Sequence, residues 1–214
     1  MNQDIIRVQV ELPEWRLYLA ILQKQPDADP TRVDQFLAEA IEETKRRYAE
    51  TPIAEDPMVQ ATRKAFRRSG GDPGRYRPAY EALARRVLKA GDLPRILPFV
   101  DLNNALSLIC RVACCVGSLD TLEPPLSLRR GTVEDEFTTM RGTFSGADKP
   151  VLCDTRGIVG TPIVDAERVL IRTDTEDVLF WAYVPAGVQC DPAAALRAAL
   201  DRCGLANLLA DGWA

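Results

Sequence analysis

A chain of 214 residues that contains no histidine has to do any acid–base work with other groups. That absence excludes Ser-His-Asp and Cys-His nucleophile systems, HExxH metalloproteases and histidine-ligated metals. Carboxylates, hydroxyls, thiols, backbone groups or the substrate itself remain. Six cysteines are present (Cys110, Cys114, Cys115, Cys153, Cys190 and Cys203), with no CxxC pair among them. Cys114 and Cys115 are adjacent, a spacing ill suited to tetrahedral ligation of one metal. No metal and no other cofactor is expected. The cysteines read as reduced, buried small hydrophobes, with a reactive Cys115 as the sharper alternative.

The second feature able to do chemistry is charge. The chain as a whole is net −4, which argues against a general nucleic-acid binder. Residues 63–95, however, carry 10 basic and 3 acidic side chains. Clustered arginine and lysine suit a phosphate backbone, because each contact releases condensed counterions. The same cluster also suits a solvated helix face, and composition alone leaves both readings open.

The elements that hold these residues can be read from periodicity. Ile6 to Leu12 alternates and predicts an early strand, and WRLYLAIL predicts a second. Asp29-Pro30 and Asp56-Pro57 each predict an N-cap and first helical position. A third helix is expected from about Pro78 to Ala90, stopped by Gly91, and a buried one over PFVDLNNALSLICRVA. From Leu126 the period shifts toward two, and LSLRR, EFTTM, PVLCD, RVLIR and DVLFWAYV read as strands. Asp191-Pro192 opens a last helix, closed by Gly204. Helices first and strands later give an α+β fold, with a helical N-terminal half leading into a mixed β-sheet domain. Residues 1–55 are expected to pack on the domain formed by 56–214, as one globular unit. No apolar stretch reaches the length of a membrane span and no secretory signal is read, so a cytoplasmic protein without a membrane partner is expected.

The string FRRSGGDPGRYRPAYEALARRVLKAGDLPRILPFVDLNNALSL resembles one family closely. It is similar to the editing domain of the phenylalanyl-tRNA synthetase beta subunit, the B-three/B-four module, and most to its free-standing relatives. Gly117-Ser118-Leu119-Asp120, LSLRRG, EDEF, the aspartate of VLCD and DAERVLIRTDTEDVLF follow in the family's order. The resemblance implies a module that binds the acceptor end of tRNA and, within the synthetase, hydrolyses tRNA(Phe) mischarged with tyrosine. No aminoacylation motif is present, so a separate protein is expected rather than a synthetase.

Carried over residue by residue, the resemblance places a pocket pair at Asn103 and Asn104, with asparagine at Asn103 where threonine is usual. Arg95 is the nearest match to an arginine near the terminal adenosine. Gly117 stands where the bacterial module has a histidine, in a loop expected to be about two residues longer. Glu167 matches the glutamate that reads a tyrosine hydroxyl. A buried carboxylate built for a phenolic OH rejects phenylalanine, which would leave it unpaired. The alternative is that Glu167 pairs with Arg168 or Arg172 on an exposed strand. Asp165 and Arg168 are further pocket candidates, and Glu136 is read as structural. Backbone N–H groups around Gly157, Gly160 and Thr161 are candidates for binding a developing oxyanion. Asn104 and Glu167 are the catalytic candidates, and Arg67, Arg68, Arg85, Arg86 and Arg95 the RNA-binding ones.

Three functions follow. The first is a free-standing enzyme that deacylates mischarged tRNA in trans. The second is a tRNA or RNA binder without hydrolysis. The third is a binder of an amino-acid-like small molecule.

Overall fold

The computed structural model describes residues 7–214. Among them are ten strands and five helices. The strands are β1 (Val8–Val10), β2 (Trp15–Lys24), β3 (Ala113–Ser118), β4 (Leu126–Arg130), β5 (Glu136–Thr139), β6 (Gly142–Ser145), β7 (Pro150–Asp154), β8 (Gly157–Gly160), β9 (Asp177–Pro185) and β10 (Ala206–Trp213). The helices are α1 (Pro30–Arg47), α2 (Pro57–Arg68), α3 (Ala79–Ala90), α4 (Pro98–Cys110) and α5 (Pro192–Cys203). The α+β fold expected from the sequence is the observed one.

A four-stranded antiparallel sheet, in the order β10-β2-β9-β3, occupies the middle of the molecule. One of its faces meets the helices. Tyr18, Ala20 and Leu22 of β2 and Phe180 and Ala182 of β9 pack there with Leu37 of α1, Leu106 of α4 and Leu196 of α5. The other face meets a second sheet of order β1-β4-β7-β8. There Leu17, Leu19, Leu179 and Trp181 pack against Leu128, Leu152 and Val159, with Phe66 of α2 beside them. This three-layer arrangement explains why β2 and β9 are near-continuous apolar runs. A strand covered on both faces has no solvent side on which to place polar residues. Truncating one such side chain, as in Leu19→Ala, removes roughly 3 kcal/mol through lost burial and the cavity left behind.

Helix boundaries follow the sequence signals. The carboxylates of Asp29, Asp56 and Asp191 accept backbone N–H groups of the first turn, each ahead of a proline. Gly91 and Gly204 close α3 and α5 in the left-handed region. The early strand is shorter than expected, and Ile6 lies outside the described residues.

Three expectations are corrected. RVLIR is not a strand. Glu167–Val169 form a 3-10 turn and the chain beyond it is irregular. Its apolar residues divide between two environments: Val169 is fully buried while Leu170 and Ile171 face a cleft. The buried helix stops at Cys110, because Arg111 takes φ 60 and turns the chain directly into β3. Cys114, Cys115 and Gly117 therefore sit in a fully buried strand rather than a loop. The strands β3, β6, β8 and β10 carry no signal that the periodicity reading detected.

Candidate functional site

An open cleft of about 1160 Å³ lies at one end of the central sheet's β3. The end of β3, the 3-10 turn Leu119–Thr121, the β5–β6 hairpin and the segment from Glu167 to Asp177 wall it. Its carboxylates are Asp120, Glu167, Asp174, Glu176 and Asp177, and its cations are Arg168 and Arg172. The cleft is thus acidic, which suits an ammonium group better than a phosphate.

Arg168 is committed to the protein's own framework. Its Nη2 donates to Asp154 Oδ1 at 2.7 Å and its Nη1 to Asp154 Oδ2 at 3.1 Å. The same nitrogens donate to the carbonyls of Thr121 and Gly157, both at 3.1 Å. Asp154 is sealed at the end of β7 and also accepts the backbone N–H groups of Glu123 and Arg156. Bidentate guanidinium–carboxylate pairs are strong and directional, so this one ties the Glu167–Val169 turn to β7 and β8. Glu167, by contrast, forms no ion pair with Arg168 or Arg172 among the described residues. It is exposed, at the start of the turn, with its carboxylate toward the cleft.

Below the turn lies a buried polar group of side chains. The Asp165 carboxyl is enclosed, and its Oδ1 has no hydrogen-bond partner. Burial pushes its pKa up to about 7, partly opposed by a hydrogen bond from the Cys115 thiol. Cys115 is itself pushed well up by burial, with Asp165 adding to the effect, so at neutral pH it is a protonated thiol, and it is closed off from solvent. Asp165 bridges to Gly160, where an added Cβ would come within 2.5 Å of Asp165 Oδ1. Gly117 is needed for the same kind of reason. A Cβ there would lie 3.1 Å from the Val169 carbonyl and 3.3 Å from the Trp181 ring. These two glycines let the turn lie close over β3 and β8.

The structure gathers Gly117, Gly160, Asp165, Glu167 and Arg168 around this turn. It does not bring Asn103 or Asn104 into the cleft lining. Both are half-buried on α4, and Asn103 Oδ1 is buried without a hydrogen-bond partner. Asp101 caps the approach to α4 by accepting the Ile96 N–H at 3.1 and 3.0 Å.

The basic segment is partly neutralised. Glu81 on α3 is buried and draws in Arg63, Arg77 and Arg85. Arg95 pairs with Asp92 and Asp34. Arg67, Arg68 and Arg86 are exposed and form no ion pair among the described residues. Sequence reasoning did not find the Arg168–Asp154 pair or the acidic wall, although the run Asp174-Thr175-Glu176-Asp177 marked the latter.

The B3/4 domain family model matches residues 61–194, well over half of the chain and the whole cleft wall. This chain belongs to the B3/4 domain family. One solved structure that resembles this B3/4 protein is an N-terminal fragment of the phenylalanyl-tRNA synthetase beta-subunit from Pyrococcus horikoshii. The identity is 12% and the TM-score 0.49, over 98% of this chain and 51% of that one. The B3/4 protein thus spans about half the length of that fragment. No curated protein matches its sequence. Among the described residues, no helix is long and apolar enough to cross a membrane.

Proposed function

We propose that this B3/4 protein binds the acceptor end of a tRNA and hydrolyses a mischarged aminoacyl ester in trans, with residues 1–55 and 56–214 acting as one unit. The observation that carries this reading is the open cleft inside the family-matched segment, with Glu167 uncommitted at its edge. An aminoacyl ester carries a protonated α-amine, which complements a wall of five carboxylates. The ester is already activated, and its neighbouring ribose hydroxyl can assist, so positioning one water and holding the developing oxyanion supply the chemistry. Glu167 reads the amino-acid side chain. Asn103 and Asn104, half-buried on α4 outside the cleft lining, are the proposed partners of the terminal ribose, which reaches them only if bound RNA extends past the cleft. Arg67, Arg68 and Arg86 take the phosphates, joined by Arg85 and Arg95 where their internal partners release them.

The test is ester loss from a panel of labelled aminoacyl-tRNAs. Turnover of one noncognate member above buffer supports the proposal, and equal loss with protein and buffer across the panel removes it. A second reading, an amino-acid-like small molecule bound without RNA, is favoured by the acidity of the cleft. It would show as binding of a free amino acid with no salt-dependent retention of tRNA.

A further inference from the structure

Three cysteines meet on the helical side of the central sheet, apart from the cleft. Cys110 is the last residue of α4, Cys114 lies in β3, and Cys190 lies in the loop just before the α5 cap Asp191. Cys110 and Cys114 belong to one core cluster and Cys190 packs against it, which makes the three thiols neighbours. Cys190 Sγ also lies 3.5 Å from the Cys110 carbonyl oxygen, to which it donates. All three are free thiols. Cys110 and Cys114 are buried, whereas Cys190 is half-buried and within reach of a small reagent.

Geometry distinguishes the two contacts. Cys114 is fixed in the ladder opposite Ala182, and its N–H donates to Ser107 Oγ at 3.2 Å. Neither member of the Cys110–Cys114 contact is open to solvent. The Cys110–Cys190 contact has one sealed and one accessible thiol, in segments 80 positions apart.

We propose that Cys110 and Cys190 are a redox modification site, closing to a reversible disulfide when the protein meets a hydroperoxide. In the first step the Cys190 sulfur, as thiolate, attacks one peroxide oxygen. The O–O bond breaks, the other oxygen leaves as water after taking a proton, and Cys190 becomes a sulfenic acid. In the second step the Cys110 sulfur attacks the Cys190 sulfur. The S–O bond breaks, hydroxide leaves as water with the Cys110 proton, and the S–S bond forms. Two thiols and one hydrogen peroxide give one disulfide and two waters, with two electrons passing from sulfur to oxygen. A thiol or dithiol reductant reverses the bond.

The rate depends on pH. Contact with Cys114 foremost, and burial, push the Cys110 thiol up against an opposing effect of Cys190, and contact with Cys110 and burial push Cys190 up. Arg111 opposes this at Cys190, and Asp191 reinforces it at both. Both thiols are protonated at neutral pH, so oxidation is slow there and speeds up in mildly alkaline buffer.

The experiment treats the full chain with hydrogen peroxide at neutral and mildly alkaline pH, blocks the remaining thiols by alkylation and maps the peptides. The expected result is a cross-linked peptide pairing Cys110 with Cys190, a fall in free thiols from six to four, and full recovery with dithiothreitol. Cys190→Ser, at the accessible position, should keep the native circular dichroism spectrum and form no cross-link. Cys114→Ser should leave the cross-link intact. A cross-link between Cys110 and Cys114, Cys190 driven to sulfinic acid while Cys110 still alkylates, or six free thiols under every condition would each overturn the proposal.

Discussion

Arg168 and Asp154 form a two-point ion pair beneath the cleft wall, at 2.7 and 3.1 Å, with the carboxylate wholly shielded from solvent. The pair joins the 3-10 turn that carries Glu167 to the end of β7. Removing the cation leaves a buried negative charge whose remaining support is backbone N–H donors. Arg168→Ala should therefore lower unfolding stability by about 3 kcal/mol, the usual scale for breaking a shielded pair from one side. Urea denaturation measures it. A loss no greater than that of an exposed arginine would mean that the pair does not hold the turn.

Asp165 should make stability fall with rising pH. Its carboxyl titrates at about 7 in the fold because burial disfavours the charged form. In the unfolded chain an aspartate titrates at about 3.9. Between those values the folded state binds the extra proton, so stability declines as pH rises and levels off above about 7. Asp165→Asn removes the titration and keeps the shape. Its melting midpoint should exceed that of wild type by more at pH 8 than at pH 5. Parallel midpoint curves would show that Asp165 is ionised throughout.

Glu167 and Asn104 should separate selection from rate. Glu167→Ala should change which aminoacyl ester is removed while tRNA affinity stays within about twofold, since a side chain that contacts only the amino acid adds little to phosphate binding. Asn104→Ala should slow every substrate that the wild type accepts. Deacylation assays across the panel, alongside filter binding, measure both. Unchanged selectivity in Glu167→Ala would remove this residue from the pocket.

Charge reversal on the helical segment needs care, because its arginines are not equivalent. Arg85 holds the buried Glu81, so reversing it disturbs the fold as well as the surface. Reversal of Arg67, Arg68 and Arg86 together should weaken tRNA retention. The slope of log affinity against log salt should become shallower by about one for each phosphate no longer neutralised. An unchanged slope would place the RNA elsewhere.

The fold was largely legible in the sequence because its helices carry local punctuation. Asp-Pro pairs at 29–30, 56–57 and 191–192 start three helices, and Gly91 and Gly204 end two. The strands were harder, because burial on both faces erases alternation. ACCVGS shows no period and sits directly behind a helix, yet it forms the edge of the central sheet. RVLIR is a short, largely β-branched apolar run between arginines and is no strand, since the Arg168–Asp154 pair and the buried Val169 hold it in a turn. Within the candidate site, Glu167 and Arg168 could be named from the family's order of motifs. Their opposite states, one open to the cleft and the other fully engaged, depend on Asp154, which lies 13 residues upstream of Glu167 and comes near only through the sheet.

The central sheet also determines where the protein can be cut. The family-matched segment 61–194 contains β3 and β9, while β2, which pairs with β9 from Trp15–Pro185 to Gln23–Asp177, lies outside it, as does β10. Excised at those limits, the segment would keep the β3 side of β9 paired but leave the nine-residue side that faces β2 without a partner, as a new edge on an apolar strand. Such an edge is a template for another chain to add to, so a fragment trimmed to the family's limits should self-associate more strongly than the whole protein.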